Sequence, residues 1–162
     1  SIATRHPMKT KILVSGAFDP LHIGHIQLLK EASNHGDLIV ALNSDEWILK
    51  KRGYLFMSFK HREILLQDLS FISKVIGFDD LDGTVCSALE MVKPDFFGNG
   101  GTRSTSSTPK KEMETCDRLG IVPVWNLGES TIDSKYLFLV QDNISRYTLR
   151  ELEKLQKTLS II

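Results

Sequence analysis

A regular alternation of short apolar runs and amphipathic helical segments is the feature that most constrains how this chain can fold. Five apolar, often β-branched runs have the length and composition of buried strands. Segments with apolar residues at helical spacing lie between them. A chain that alternates in this way forms a parallel sheet with helical crossovers, an α/β fold. The predicted strands are Lys11–Gly16, Asp37–Asn43, Lys74–Phe78, Asp95–Gly98 and Ile121–Trp125.

Residues that cap helices mark several of the helix boundaries. Serine or threonine precedes three of the predicted helices, where its side chain would cap the N-terminus. Pro109 directly follows Thr108 and suits a first helical turn. The predicted helices run from Ile23 to a closing glycine at Gly36, from Ser44 to about Lys51, from Ser58 to about Leu69, from Gly83 to Val92, and from Thr108 to Leu119 before Gly120.

The length of the chain, 162 residues, suits one domain. We expect residues 1–7 to be a disordered tag or leader and residues 8–162 to form a single domain. The capping box Thr148-Leu149-Arg150-Glu151 predicts a C-terminal amphipathic helix over residues 147–162. Its leucine side either packs on its own domain or forms the interface of a homodimer, and a homodimer is the assembly that we predict. The leucines on that side are Leu149, Leu152, Leu155 and Leu159.

Charge and cysteine content exclude several classes of protein. Twenty basic and twenty acidic side chains cancel, which argues against a dedicated nucleic-acid or anionic-membrane binder. Cys86 and Cys116 stand apart with no CxxC pattern, as reduced thiols of a cytoplasmic protein do, and not as a disulfide or zinc framework. No apolar run approaches the roughly 20 residues of a membrane span. The sequence therefore predicts a cytoplasmic domain without nucleic-acid or membrane partners.

The loop after the first predicted strand carries the strongest chemical signal. His22 and His25 lie three residues apart at the start of a helix and share one face of its first turn. The N-terminus of a helix favours phosphate, and Gly24 removes a side chain where a nucleotide could pack. Two imidazoles that donate to an α-phosphate would stabilise the charge that builds during phosphoryl displacement. A helix cap or a metal site are the alternatives, although no third metal ligand at suitable spacing is apparent.

This segment, Gly16 to His25, resembles the GxFDxxHxGH signature of the cytidylyltransferase-like nucleotidyltransferases. The superfamily includes glycerol-3-phosphate cytidylyltransferases and heptose-phosphate adenylyltransferases. The resemblance extends from Lys11 to about Leu137. It implies a Rossmann-like, doubly wound, five-stranded parallel sheet with flanking helices and a C-terminal helical appendix. Further similar segments are Ala41–Glu46 (the VNSDE turn), Lys50–Gly53 (the KKG or LKG segment), His61–Leu65 (the ERxEIL helix) and Gly98–Thr102 (the KGGD or NGGD loop).

The resemblance also implies a reaction and a set of roles. A nucleoside monophosphate would pass from CTP or ATP to a small phosphorylated acceptor, with Mg²⁺ on the phosphates and no dedicated protein metal site. His22 and His25 would hold the triphosphate as catalytic donors, and Lys51 or its neighbour Lys50 would reach phosphate across the site. A solvated basic turn is the alternative for the lysines. The residues implied to line the nucleotide are Gly16, Ala17, Phe18, Gly24, Asn99, Gly100, Gly101, Thr102 and Ser134.

The acceptor would lie near three further residues. Asp19 is implied to sit near the acceptor or metal, and Asp45 lies in the segment similar to the VNSDE turn. Arg62 would hold the acceptor phosphate, or would instead pair with Asp45 or Glu63, and both alternatives are open. The acceptor could be a polyol phosphate such as glycerol 3-phosphate, a sugar phosphate or another small phosphoester.

The sequence departs from the family pattern in two places. Thr102 stands where an aspartate is usual, and Asn99 stands where many relatives have lysine. The RTxGIST form of the cytidylyltransferases is also missing, with its arginine, so the matching hydroxyl is Ser130-Thr131 or Ser134, of which we favour Ser134. We expect CMP transfer over AMP transfer. A nucleotide-binding module without catalysis and a metal-dependent hydrolase using both histidines and Asp19 are the alternatives.

Overall fold

The chain alternates strands and helices as its sequence predicts. A computed structural model describes residues 9–80, 82–101, 103–128 and 134–161, and in the last range it describes the side chains of residues 142–160. The strands are β1 (Lys11–Gly16), β2 (Asp37–Leu42), β3 (Lys74–Gly77), β4 (Phe96–Gly100) and β5 (Val122–Leu127). The helices are α1 (Ile23–Ser33), α2 (Asp45–Arg52), α3 (Phe59–Gln67), α4 (Cys86–Val92), α5 (Lys110–Leu119) and α6 (Ser134–Ile161).

One parallel sheet holds the five strands in the order β3-β2-β1-β4-β5. From β1 the chain builds outward through β2 and β3, then returns to the other side of β1 for β4 and β5. The direction of winding reverses between β1 and β4, so the fold is the doubly wound one that we predicted. In such sheets ligands bind beyond the carboxyl ends of the strands at this switch point.

The central strand is buried on both faces. Ile12 and Val14 pack on one side of the sheet with Leu29 of α1 and Leu66 of α3. Leu13 packs on the other side, where the second core contains residues of α4 and α5. Because side chains alternate along a strand, a strand covered on both faces must be apolar throughout. This burial explains the unbroken apolar run that predicted β1.

Strand β4 extends two residues further than predicted. Asn99 and Gly100, expected in a loop, are its last two residues, and Asn99 is buried. A Cβ atom on Gly100 would lie 2.5 Å from Leu28 Cδ1. Gly100 thus lies in a strand and in close contact with a side chain of α1 instead of in a turn, which only the tertiary structure shows.

The predicted caps at Ser44, Ser58 and Gly120 are confirmed, and those at Thr108 and Gly36 are wrong. Ser44 and Ser58 cap α2 and α3 through their side chains. At α5 the N-cap position is Pro109 instead of Thr108, whose Oγ1 is buried and has no partner among the described residues. The first helix ends at Ser33, and Gly36 serves instead as a close-approach point, since a Cβ there would lie 2.6 Å from the Thr10 carbonyl oxygen.

Contacts divide the chain into two units, residues 1–130 and 131–162. The second unit contains α6, which runs without interruption through the predicted capping box. Thr148 does not cap a new helix; its hydroxyl donates back to the carbonyl oxygen of Ile144 at 3.0 Å, within the helix. Residues 1–7, the predicted leader, lie outside the described residues. Among the described helices, none combines the length and hydropathy that a membrane crossing requires.

Candidate functional site

Two stacked histidines form the N-terminus of α1 at the carboxyl end of β1. His22 is the N-cap, and its Nδ1 accepts hydrogen bonds from the backbone N–H groups of Gly24 at 3.1 Å and His25 at 3.4 Å. His25 Nδ1 in turn accepts from the His22 backbone N–H at 3.3 Å. The two rings stack with centroids 3.7 Å apart and planes 19° from parallel. The pair is a reciprocal capping box built from imidazoles in place of the usual hydroxyl and carboxylate.

This cap fixes the protonation of both rings. Because each Nδ1 is an acceptor, the single proton of each neutral imidazole must be on Nε2. Burial lowers the pKa of His22 and, together with the nearby His22, lowers that of His25 to about 4. Both rings are therefore neutral at pH 7, and each offers one Nε2–H donor. Two neutral donors can stack closely, as charged imidazolium rings could not without repulsion.

The ring of Phe18 packs against His25. The Phe18 ring is buried and meets the His25 ring edge to face, with centroids 5.0 Å apart. The Phe18 backbone has a φ of +49°, a conformation unfavourable for a bulky residue and typical of functional sites. A Cβ on Gly16 would lie 2.9 Å from the Phe18 ring. Gly16, the last residue of β1, therefore makes room for Phe18, a role that sequence reasoning did not assign.

Two clefts flank the carboxyl end of β1. The first, which we call the β1–β4 cleft, lies at the switch point of the sheet and has a volume of about 160 Å³. Backbone of the strand ends and the His25 ring form much of its wall. It is lined by Val14, Ser15, Gly16, Ala17, Phe18, His25, Leu28, Gly98, Asn99, Gly100 and Arg103.

The second cleft, which we call the β1–β2 cleft, has a volume of about 260 Å³. Trp47 forms one wall, with its indole N–H donating to Asp80 at 2.6 Å. The ammonium of Lys51 lies 5.4 Å from the centre of the Trp47 ring, a cation–π contact. The structure thus brings Lys51 to the cleft wall, and its neighbour Lys50 does not line the cleft.

Asp19 is occupied by contacts within the protein. Its side chain is 0% exposed and is paired with the Arg52 guanidinium. The same carboxylate accepts from the backbone N–H of Phe56 at 2.9 Å and of Met57 at 2.7 Å. These bonds anchor the connection between α2 and α3 beside the histidine loop. The side chain has no exposed surface in this structure, and its role near the acceptor or metal stays a prediction.

Arg62 is also used structurally. Its side chain is 0% exposed and pairs with Asp45 at 2.7 Å, one of the two alternatives that the sequence left open. It also donates to the carbonyl oxygens of Met57, Ala17 and Asn43, at 2.9, 2.9 and 2.8 Å. The carbonyls of Ala17 and Asn43 follow β1 and β2, so this arginine joins the ends of the strands that frame both clefts. A role in acceptor binding stays a prediction for Arg62 and Asp45.

Asn99 faces another side chain of the protein. Its Nδ2 donates to the carbonyl oxygen of Phe97 at 3.1 Å, and its Oδ1 accepts from Arg103 at 3.1 Å. Arg103 also donates to both carboxylate oxygens of buried Glu112, at 3.1 and 3.2 Å. Sequence reasoning missed Arg103 and Glu112. The sequence offered one signal for this pair: Glu112 is a charged residue on the face of α5 that is otherwise buried through Thr115 and Cys116.

Some of the remaining predicted site residues are described by the structure, and others are not. Gly24 lies in the first turn of α1 and donates its N–H to His22, and Gly101 follows β4 with a φ of +39°. Thr102, Ser130 and Thr131 lie outside the described residues. Ser134 is the first residue of α6, and its side chain is not among those described.

Carboxylates and histidines do not gather into a metal centre in the described part of the chain. No group of three or more His, Cys, Asp or Glu side chains there could hold a metal ion. The acidic groups near the clefts are bound to protein donors instead: Asp19 to Arg52, Asp80 to Trp47, and Glu112 to Arg103.

Most of the chain is similar to known proteins. A family model described as cytidylyltransferase-like matches residues 13–145. Glycerol-3-phosphate cytidylyltransferase of Bacillus subtilis (strain 168) is 40% identical over 67 residues, which cover 41% of this chain and 52% of that protein. The bifunctional protein HldE of Syntrophotalea carbinolica is 33% identical over 108 residues, which cover 65% of this chain and 22% of that protein. The matched segment is thus about half the length of the first relative and less of the second.

A solved structure shares the fold. The crystal structure of the lipopolysaccharide core biosynthesis protein from Thermoplasma volcanium GSS1 matches with a TM-score of 0.59 and 25% sequence identity. The match covers 74% of this chain and 96% of that one.

Proposed function

Because the chain belongs to the cytidylyltransferase-like family, we propose that it transfers a nucleoside monophosphate from a nucleoside triphosphate to a small phosphorylated acceptor. The observation that carries the proposal is the reciprocally capped pair His22 and His25. Both rings are neutral and carry their proton on Nε2; His25 lines the cleft at the switch point, and His22 stacks on it at the N-terminus of α1. This arrangement suits a phosphate that gains negative charge in the transition state.

The reaction needs no covalent enzyme intermediate. An oxygen of the acceptor phosphate attacks the α-phosphorus in line, a new P–O bond forms, and the bond between the α-phosphorus and the bridging oxygen breaks. Pyrophosphate leaves with that oxygen and its electron pair. The acceptor phosphate is already ionised, so no base must remove a proton. Catalysis then consists of positioning and of charge stabilisation by His22 and His25.

We assign one substrate to each cleft. The β1–β4 cleft, with His25 and the backbone of β1 and β4, would take the nucleotide as its magnesium complex. The β1–β2 cleft, with Lys51 and Trp47, would take the acceptor. The two meet at the end of β1, where the attacking oxygen and the α-phosphorus must come together.

The substrates that we favour are CTP over ATP and a polyol phosphate such as glycerol 3-phosphate, with a sugar phosphate as the alternative. The similarity to glycerol-3-phosphate cytidylyltransferase of Bacillus subtilis supports this preference. Base choice depends on backbone groups around Gly100, where side-chain identity gives little information.

Pyrophosphate release tests the proposal. Each of the four nucleoside triphosphates is combined with Mg²⁺ and a panel of phosphorylated polyols and sugars. We expect one pair of substrates to turn over. Triphosphate binding in calorimetry without release from any acceptor would favour a binding module of the same fold. Absence of both binding and release would contradict the nucleotide assignment itself.

A further inference from the structure

Arg103 lies where the two clefts meet. Four residues line both clefts, and three of them are the backbone segment Ser15–Ala17 at the end of β1. The fourth is Arg103, which brings the charged side chain to this shared boundary. In a two-substrate reaction the boundary is where the attacking and the attacked groups come together.

Two buried side chains hold the guanidinium in one orientation. Glu112 accepts from Nη2 through both carboxylate oxygens, and Asn99 Oδ1 accepts from Nη1 at 3.1 Å. The Asn99 amide is itself fixed, because its Nδ2 donates to the backbone oxygens of Phe97 at 3.1 Å and Val124 at 3.5 Å. Its oxygen must therefore face Arg103. The arginine is oriented by the ends of β4 and β5 and by α5.

The two charged side chains of this cluster differ in their exposed fraction. The Glu112 side chain is 2% exposed, whereas that of Arg103 is 37% exposed. Burying a carboxylate is costly, and here burial raises the pKa of Glu112 while the charge of Arg103 opposes the rise. An arginine at the surface is solvated by water and does not need a buried carboxylate as its partner. In the described part of the chain, Nε has no partner, so the guanidinium keeps donor capacity on its open side.

We infer that Arg103 binds the phosphate of the acceptor and holds it against the α-phosphate of the nucleotide. Two phosphate groups must approach each other at this boundary, and a guanidinium both reduces their repulsion and donates to phosphate in a forked geometry. The inference rests on the proposed function and adds a specificity determinant to it. Arg103 selects acceptors that carry a phosphate, and Asn99 and Glu112 are its positioning residues.

The assignment also gives Asn99 a new role. Sequence reasoning placed it at the nucleotide, where many relatives have lysine. In this chain the position is neutral and buried, and the cation beside it is supplied four residues later. The positive charge beside the end of β4 is thus supplied by Arg103, which lines both clefts.

Steady-state kinetics of Arg103 variants test the inference. Mg·CTP and glycerol 3-phosphate serve as the first probe pair, replaced by whichever pair turns over in the panel above. For Arg103→Lys and Arg103→Gln we expect KM for the acceptor to rise about 10- to 100-fold, the usual effect of losing a hydrogen bond to a charged group. KM for the triphosphate should change less than threefold. Arg118→Gln is the matched control, since Arg118 pairs with Glu90 on the surface and lines neither cleft.

Two further variants separate substrate contact from folding. Arg103→Gln leaves Glu112 buried without its partner, so the double variant Arg103→Gln/Glu112→Gln removes both charges together. It should restore thermal stability toward wild type without restoring acceptor KM. Glu112→Gln alone should raise acceptor KM by a smaller factor, because Arg103 keeps its charge and loses its orientation.

The outcomes distinguish this inference from the proposed function. An unchanged acceptor KM in folded Arg103→Gln, with wild-type turnover intact, overturns the inference and leaves the proposed function standing. A rise in triphosphate KM alone also overturns it, because Arg103 would then serve the nucleotide. If wild type releases pyrophosphate with no pair of substrates, the proposed function fails and the inference fails with it.

Discussion

At the residue scale, each histidine of the pair has two separate tasks. Nδ1 holds the turn together by accepting backbone hydrogen bonds, and Nε2 carries the proton that we assign to phosphate binding. Because the tasks use opposite sides of the ring, substitutions can separate structure from chemistry.

His22→Asn and His22→Ala make that separation. Asparagine keeps a side-chain acceptor suited to an N-cap and lacks a donor at the Nε2 position, whereas alanine removes both. We expect kcat to fall about 10²- to 10³-fold in both variants, as when one transition-state donor is lost. Only the alanine variant should also lose stability, by about 1 kcal/mol. Urea unfolding and pyrophosphate release measure the two effects, and full activity in His22→Asn would contradict the donor role.

The pH dependence of stability follows from the lowered pKa of His25. The pKa of His25 in the folded protein is about 4, below the ordinary histidine value of 6.5, so the unfolded chain binds the proton more tightly between these two values. Stability from this group is present above about pH 6.5 and is lost as the pH falls toward 4, with a slope of at most about 1.4 kcal/mol per pH unit. Urea midpoints of wild type and His25→Gln across this range measure it. Equal slopes in the two proteins would contradict the assignment.

At the element scale, buried ion pairs fix the connections around the site. Arg62 of α3 joins the ends of β1 and β2, and Asp19 anchors the segment between α2 and α3. Neither contact is local in sequence: Asp19 and Arg52 are 33 residues apart, and Ala17 and Arg62 are 45 apart. These pairs assemble the site from separate elements.

Asp19→Asn tests the anchoring role. The amide keeps the shape but loses the charge opposite Arg52, and an NH₂ group replaces one of the two acceptor oxygens. Loss of one partner of a buried pair typically costs about 3–5 kcal/mol. We expect a destabilisation in this range in urea unfolding. Asp117→Asn, an exposed carboxyl on α5, is the control and should leave the midpoint unchanged. A neutral effect at Asp19 would mean that its carboxylate is free for another use.

At the scale of the whole molecule, α6 carries an exposed apolar stripe. Leu149, Leu152, Leu155 and Leu159 are between 54% and 69% exposed. The segment from residue 146 onward also lies beyond the part that matches the family model. We propose that two copies of this helix pair through their leucines, which is the predicted homodimer.

Sedimentation tests the pairing. Wild type should sediment as a dimer at micromolar concentration, and Leu152→Glu/Leu155→Glu should sediment as a monomer with unchanged helix content. Lys157→Glu changes charge on the opposite side of the helix by its 100° spacing per residue and should remain dimeric. A monomeric wild type would contradict the proposal, as would a dimer that survives the double substitution.

The order of strands and helices could be predicted from the sequence, and so could the place of the histidine pair at the start of α1. These features depend on spacings of a few residues: an apolar run of strand length, a helix period, and two histidines one turn apart. The physics that fixes them acts locally, so a single segment contains the whole signal. The capping prediction at Thr148 failed for the same reason, because a local motif cannot report that the helix has already begun.

The tertiary structure alone decided which polar groups are available to a substrate. Asp19 and Arg62 are charged residues of the kind that bind substrates, yet the side chain of each is fully buried and bound to distant parts of the chain. Arg103 has no local motif, and it becomes significant only because Asn99 and Glu112 meet it from β4 and α5. Whether a charge faces a ligand or another charge depends on long-range contacts and on desolvation, and neither is encoded in the spacing of neighbouring residues.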